Sequence, residues 1–169
     1  MNKDKERMFT IRQAQITDAE ALTAIYNEYI RHTTITFETE EITIAENTRR
    51  MVDIMAHFPY LVYEEQGHIL GYAYVHYWKA RAAYRHTAEV TIYLAVDAVG
   101  RGIGTCLLSR LIDECRQRDI HVLIACITQG NAASVALHRK LGFVQVSCFH
   151  QVGRKFDRWL DVVDMELRL

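Results

Sequence analysis

Apolar positions along the chain change their period twice. Leu22, Ile25, Tyr26, Tyr29 and Ile30 recur at steps of three and four, the repeat of one helix face. Thr17-Asp18-Ala19-Glu20 just ahead reads as a capping box, with the Thr oxygen on the third helical amide and the Glu reaching back. Residues 43–46 offer a second box before Met51, Ile54 and Met55, and the segment between, TTITFETE at 33–40, is irregular. From Tyr60 the apolar spacing shortens. Residues 60–64, 69–77 and 87–96 predict strands, the first two joined by a turn at Gly67. Ile103, Leu107, Leu111 and Cys115 then stand four apart, one apolar stripe on a helix. Residues 122–127 form a short continuous apolar run, the pattern of a buried central strand. Residues 131–140 read as a helix that stops before Gly142, a left-handed cap. Residues 9–14, 144–152 and 160–169 complete the strands. The sum is an α/β fold: a mixed, mostly antiparallel central sheet of about seven strands, flanked by helices on both faces.

Size and charge narrow this picture. The chain's 169 residues suffice for one domain with a core, expected over residues 9–169. Residues 1–8, MNKDKERM, are charged, lack the apolar segment of a signal peptide and are expected to be a frayed end. A net charge of -1 gives no basic field, which disfavours a nucleic-acid partner. The longest apolar runs are strand-sized, so no membrane span is expected. Cys106, Cys115, Cys126 and Cys148 lack C-x-x-C spacing and sit in apolar patterns. They read as buried free thiols in a reducing, cytoplasmic compartment, without disulfides or a metal site.

The candidate chemistry centres on VGRGIGTCLL, residues 99–108. Gly100, Gly102 and Gly104 leave backbone amides uncovered at the start of the Ile103 helix. Such a nest suits a phosphate or pyrophosphate, and Arg101 can add a charge-assisted hydrogen bond. A turn that merely needs flexible residues is the alternative. The dinucleotide pattern fails because Thr105 stands where its third glycine belongs, and no Gly-Lys-Ser/Thr of a P-loop is present.

VGRGIGTCLL resembles the acyl-CoA loop of the GNAT N-acetyltransferases, Gln/Arg-x-x-Gly-x-Gly/Ala. NAASVALHRKLGF, residues 131–143, resembles the family's N-x-x-S-x-x-L-(Tyr/His)-x-K-x-G-F stretch. IYNEYI, TFETE, RAAYRHTAEVTIYLA and VGRKFDRWLDVVDMELRL are similar to the phosphinothricin acetyltransferase-like branch. Two departures stand out: Val99 where the pattern has Gln or Arg, and Asp157 where Gly is common.

The resemblance implies acetyl-CoA as co-substrate between two diverging central strands. The backbone of Ile92, Tyr93 and Leu94 would meet the pantetheine arm as an added strand. Residues Gly100, Arg101, Gly102, Ile103, Gly104 and Thr105 would hold the pyrophosphate. Asn131 would contact the arm and Lys140 the nucleotide phosphates. Acetyl transfer needs a neutral amine, a stabilised thioester oxygen and a neutralised leaving thiolate. Glu89, inside AEVTIYLA, is the candidate general base, although strand alternation alone also allows a solvated sheet face. His138, where many relatives have Tyr, is the second catalytic candidate, for proton transfer or for orienting the substrate. Tyr93 is a weaker acid candidate. Cys126 reads as a buried structural thiol, so direct attack by the amine is expected.

Arg81, Ala82, Ala83, Tyr84 and Arg85 join two strands beside Glu89 and could clamp an acidic group, with Phe37 and Asn131 completing the acceptor site. The resemblance implies a small amino-acid acceptor such as phosphinothricin, methionine sulfoximine or methionine sulfone, and often a homodimer. An aminoglycoside, polyamine or protein N-terminus as acceptor, and an acyl-CoA-binding module without catalysis, remain alternatives.

Overall fold

A computed structural model describes residues 9–169; the 1–8 segment lies outside the described residues. The chain runs β1 (Phe9–Gln13), α1 (Ala19–His32), α2 (Ile44–Met55), β2 (Tyr60–Glu65), β3 (His68–Tyr77), β4 (Thr87–Leu94), α3 (Ile103–Arg116), β5 (Val122–Thr128), α4 (Ala132–Lys140), β6 (Val144–Lys155) and β7 (Arg158–Arg168). The strands form one sheet in the order β1-β2-β3-β4-β5-β7-β6. Every neighbouring pair is antiparallel except β4 and β5. The expected seven-stranded mixed sheet is therefore present. No helix among the described residues is long and apolar enough to cross a membrane.

Helices cover both faces. On one face Leu107, Leu108 and Leu111 of α3, all fully buried, pack with Ala73, Val75, Leu123 and Met165 from the sheet. On the other, Leu22 and Ile25 of α1 and Met51 of α2 close over Tyr60, Val62 and Tyr72. Strand alternation decides which layer each β4 residue joins. Val90, Ile92 and Leu94 point toward α3, whereas Tyr93 points toward α1.

Several boundaries differ from the sequence expectation, each for a local reason. The box before α1 is built from Gln15 and Asp18, not from Thr17 and Glu20: the Gln15 amide donates to Asp18 Oδ2 at 2.7 Å. A 3-10 turn at Ile16–Asp18 shifts the helix start to Ala19. Thr43 does cap α2, accepting from the Glu46 amide at 3.1 Å, but the Glu46 carboxylate binds Arg49 and Arg50 instead of reaching back. The last two strands are longer than expected. They meet in a two-residue turn where Phe156 and Asp157 have φ of 50° and 56°. That turn accounts for Asp157: the left-handed region favours glycine, and Asp is one of the few other residues that enter it readily.

Of the four thiols, only Cys115 is buried. Cys106 faces outward on α3, Cys148 lies on the edge strand β6, and Cys126 opens onto the space that β4 vacates. All four are free.

Arg12 on β1 donates to Asp18 at 2.8 and 2.9 Å and to Glu64 at 2.9 Å, tying the sheet edge to the start of α1. Burial raises the Asp18 pKa, but the Arg12 and Gln15 bonds outweigh it and leave the group below its ordinary value. A depressed folded-state pKa contributes stability above the unfolded pKa and loses it as pH falls through the folded value. Asp18→Asn should therefore lower the melting temperature at neutral pH. Its deficit against wild type should shrink on acidification below about pH 4, as a calorimetric pH series would show. Leu111→Ala removes a fully buried side chain. It should cost about 3 kcal/mol and lower Tm by about 6–12 °C, read by thermal denaturation.

Candidate active site

β4 and β5 pair only at Thr87–Val122, Ala88–Leu123 and Glu89–Ile124. Beyond Glu89 they separate. β4 continues to Leu94 on β3 alone, and β5 continues to Thr128 on β7 alone. The parting opens a cleft of about 330 Å³. Glu89 to Tyr93 form one wall and Ala125 to Thr128 the other. Asn131, Ser134 and His138 of α4, with Val162, close one side, and Ile35, Thr36 and Phe37 of the α1–α2 connection cross another.

Glu89 stands at the fork. Burial raises its pKa most, an effect opposed by the positive potential of His76 and the Cys126 thiol and reinforced by Asp164. His76 is its cross-strand partner on β3, with Nε2 4.0 Å from the carboxylate. Cys126 faces Asp164 across the β5–β7 ladder. Although the residue is exposed at the cleft wall, loss of solvent around its thiol, together with the two carboxylates, pushes that thiol well above the ordinary range, so it is a poor source of thiolate.

His138 is buried, at 2% exposure. Its Nδ1 lies 2.8 Å from the Ser134 carbonyl oxygen, a contact that requires the proton on Nδ1. Nε2 is then a lone pair, buried and without a partner. Burial also lowers the His138 pKa. The neutral ring therefore suits an acceptor of a hydrogen bond better than a donor of a proton. Tyr93 fits an acid role less well. Its ring packs among Tyr26, Tyr29 and Tyr72, and burial raises its pKa strongly.

The glycine loop separates its residues by role. Gly100 and Gly102 have φ of 81° and 82°, and Gly102 is the N-cap of α3 without any side-chain cap. A left-handed residue there turns the chain so that the first α3 amides face outward with no helical partner. Ile103 is core, so only its backbone is available. Arg101 donates to Glu65 at 2.6 Å, so it is already paired. Asn131 caps α4, its Oδ1 accepting from the Ser134 amide at 3.2 Å, and the residue lines the cleft. The Leu94 carbonyl is occupied by the Tyr29 hydroxyl at 2.7 Å. Lys140 is exposed at the end of α4.

Of the acceptor residues expected from sequence, Phe37 and Asn131 line the cleft and Arg81, Ala82, Ala83, Tyr84 and Arg85 do not. The 81–85 segment folds on itself: the Tyr84 amide donates to Arg81, and the Tyr84 ring packs edge-on to Trp78 with Lys79 above both rings. Sequence reasoning missed Thr36, Thr128, Ser134, Asp164 and His76. Ser134 was visible in the N-x-x-S spacing. The others enter through strand register and the path of the α1–α2 connection. One cluster of possible metal ligands occurs among the described residues, Cys148, His150 and Asp161, away from the cleft. There Asp161 accepts from His150 Nδ1 at 3.0 Å and from the Gln151 amide at 2.8 Å, which fastens an irregular stretch of β6.

Comparison with known proteins agrees with this geometry. The family described as "Acetyltransferase (GNAT) domain" matches residues 11–163. Phosphinothricin N-acetyltransferase of Alcaligenes faecalis is 42% identical over 93% of this chain and 81% of its own. The L-methionine sulfoximine/L-methionine sulfone acetyltransferase of Pseudomonas paraeruginosa is 39% identical over 95% of this chain and 94% of its own. A solved structure of yncA from Salmonella typhimurium with its cofactor acetyl-CoA superposes with a TM-score of 0.93, at 39% identity, covering 95% and 94% of the two chains. The forked sheet, the glycine N-cap of α3 and these similarities together place the chain in the GNAT acetyltransferase family.

Proposed function

We propose that this GNAT acetyltransferase moves an acetyl group from acetyl-CoA to the α-amino group of a small amino acid of the phosphinothricin, methionine sulfoximine or methionine sulfone type. The observation that carries the reading is Glu89, a half-buried carboxylate where a free strand edge begins. The similarity to the Alcaligenes and Pseudomonas enzymes supports the acceptor class.

The residues present suit acetyl-CoA. The β4 edge past Glu89 has no strand partner on the cleft side and can take an extended pantetheine arm through its backbone. The Gly102 N-cap offers unpartnered amides to a pyrophosphate, and a Cβ at Gly100 or Gly102 would meet nothing within 4 Å, so space remains around the loop. Asn131 and Lys140 supply the remaining cofactor contacts in this reading. The acceptor arrives as an ammonium ion. Glu89 removes one proton, and the freed nitrogen lone pair attacks the thioester carbonyl. The C–S bond then breaks as the nitrogen gives up its second proton, which leaves with coenzyme A as its thiol, and the proton held by Glu89 passes to solvent. His138 Nε2 accepts a hydrogen bond from the acceptor amine or a water and so orients the nitrogen. Cys126 forms no acyl-enzyme, because its thiol is held protonated.

The homodimer expected from the resemblance is also part of the proposal. β6 is an edge strand, and Val144, Val146, Phe149 and Val152 on it are all exposed, as is Trp159 at the start of β7. Such a strip on an open sheet edge favours association. Equilibrium sedimentation should give a dimer mass, and Val146→Lys should shift it toward monomer; a wild-type monomer would reject this part.

Glu89→Gln should lower kcat about 100-fold or more with acetyl-CoA affinity little changed, by steady-state kinetics and calorimetric binding. Because the base must be ionised, wild-type kcat/KM should rise with pH along an acid limb lying above the ordinary Glu range. Glu89→Gln should abolish that limb. Full activity in the variant would remove Glu89 from the mechanism.

A further inference from the structure

Glu89 has a neighbour that does not belong to the cleft. β3 and β4 pair His76 with Glu89 directly across the ladder, so both side chains leave the same face of the sheet. Glu89 lines the cleft between β4 and β5. His76 instead lines a second, open crevice of about 420 Å³ between the end of α2 and β3, with Asp53, Ile54, Phe58 and Tyr77. Its side chain is 36% exposed there. The carboxylate therefore has the acceptor cleft on one side and an imidazole in contact with solvent on the other.

The contacts of that ring fix what it can do. Nδ1 lies 2.9 Å from the Tyr77 carbonyl oxygen, which only accepts, so Nδ1 carries a proton in either charge state. Nε2 is the atom toward Glu89, 4.0 Å from Oε1. A neutral ring turns a lone pair toward the carboxylate, and a protonated ring turns an N–H toward it. The charged ring is thus the form that suits an ionised Glu89, and a small turn of either side chain closes the gap to a hydrogen bond. The other groups facing Glu89 are the Cys126 thiol from β5 and the Asp164 carboxylate from β7, and neither supplies positive charge. Around His76 itself stand Asp53 of α2, His57 of the turn after it, and Tyr74 and Tyr77 of β3. Burial raises the Glu89 pKa, and His76 opposes that rise.

We infer that His76 is a positioning residue for the base: from outside the acceptor cleft, its imidazolium holds the Glu89 carboxylate ionised and so extends acetyl transfer to lower pH. This rests on the acetyl-transfer reading above, in which Glu89 takes the acceptor's proton.

The test follows Glu89 across pH in two ways. One is the NMR shift of its carboxyl carbon in the protein alone, the signal being the one that Glu89→Gln removes. The other is kcat/KM for methionine sulfone by thiol release from acetyl-CoA. In His76→Gln the Glu89 titration midpoint and the acid limb of kcat/KM should move up together by about one pH unit. Activity at a pH on that limb should fall about tenfold, and by about twofold or less on the alkaline plateau, with acetyl-CoA KM unchanged. His76→Lys, which keeps a cation, should return midpoint and limb to the wild-type position or below. An unmoved midpoint in His76→Gln, an equal loss of activity at every pH, or a limb in His76→Lys as high as in His76→Gln would overturn the charge role. If His76→Gln does not fold, His76→Lys decides, and a Glu89 midpoint above the wild-type one overturns the inference. A midpoint that moves while the limb stays in place, or activity that survives in Glu89→Gln, would overturn Glu89 as the base and this inference with it. Wild type that binds acetyl-CoA but releases no thiol with methionine sulfone would overturn the acceptor reading, and the catalytic role of His76 with it.

Discussion

The parting of β4 from β5 after three residue pairs is the constraint on which the site depends. A parallel pair inside a sheet normally satisfies its backbone groups along its whole length. Here the ladder stops at Glu89, and each strand keeps only its outer neighbour. Unpaired backbone groups beside a core are costly unless something satisfies them. A ligand with an extended amide-bearing arm can do so, and the Glu89 carboxylate stands at the head of that open edge. Cys126 lines that opening and is exposed there.

A fork of this kind would be loose without bracing, and the α1–α2 connection supplies it. That connection has no regular secondary structure, yet it is fastened along its length. Thr128 donates to the Thr34 carbonyl at 2.8 Å, Lys155 holds the Thr36 carbonyl, and the Tyr26 hydroxyl meets Thr36 Oγ1 at 2.8 Å. Asn27 both donates to and accepts from the Ile42 backbone at 3.0 and 3.1 Å. These anchors come from β5, β6 and α1. The irregular segment thus ties together elements on either side of the cleft, with its backbone polar groups answered by side chains instead of a ladder.

The layers of this fold were legible in the sequence because they follow from period. The step-of-four stripe of α3 and the continuous run of β5 fall where the structure puts them. The glycine loop was legible through spacing, whereas strand alternation alone left Glu89 open to a solvated sheet face and only the family resemblance made it the candidate base. What escaped depended on contacts between distant segments. The arginines of the 81–85 connection looked suited to an acidic acceptor, but nothing in their spacing shows that Trp78, Lys79 and Tyr84 pack against one another there. Lys155 sat in a stretch that carried the family resemblance, yet its burial against Thr36 spans 119 positions. Asp157 looked like an unexplained departure until its φ of 56° showed that the position asks for a left-handed residue.

Burial acts on the proposed reaction in a consistent direction. Desolvation favours the neutral form of every titratable group. It raises Glu89, lowers His138 and raises Cys126. An acceptor ammonium entering the same cleft would have its own pKa lowered for the same reason. Transfer of its proton to Glu89 turns an ion pair into two neutral groups, which a poorly solvated site favours more than water does. The amine is thereby freed at a pH where it would be almost wholly protonated in solution. His138 cannot compete for that proton easily, because a charged imidazolium would be stranded in the same low-dielectric space. The Ser134 carbonyl fixes its proton on Nδ1 and leaves the buried Nε2 as a lone pair, so the neutral ring is a hydrogen-bond acceptor in this site.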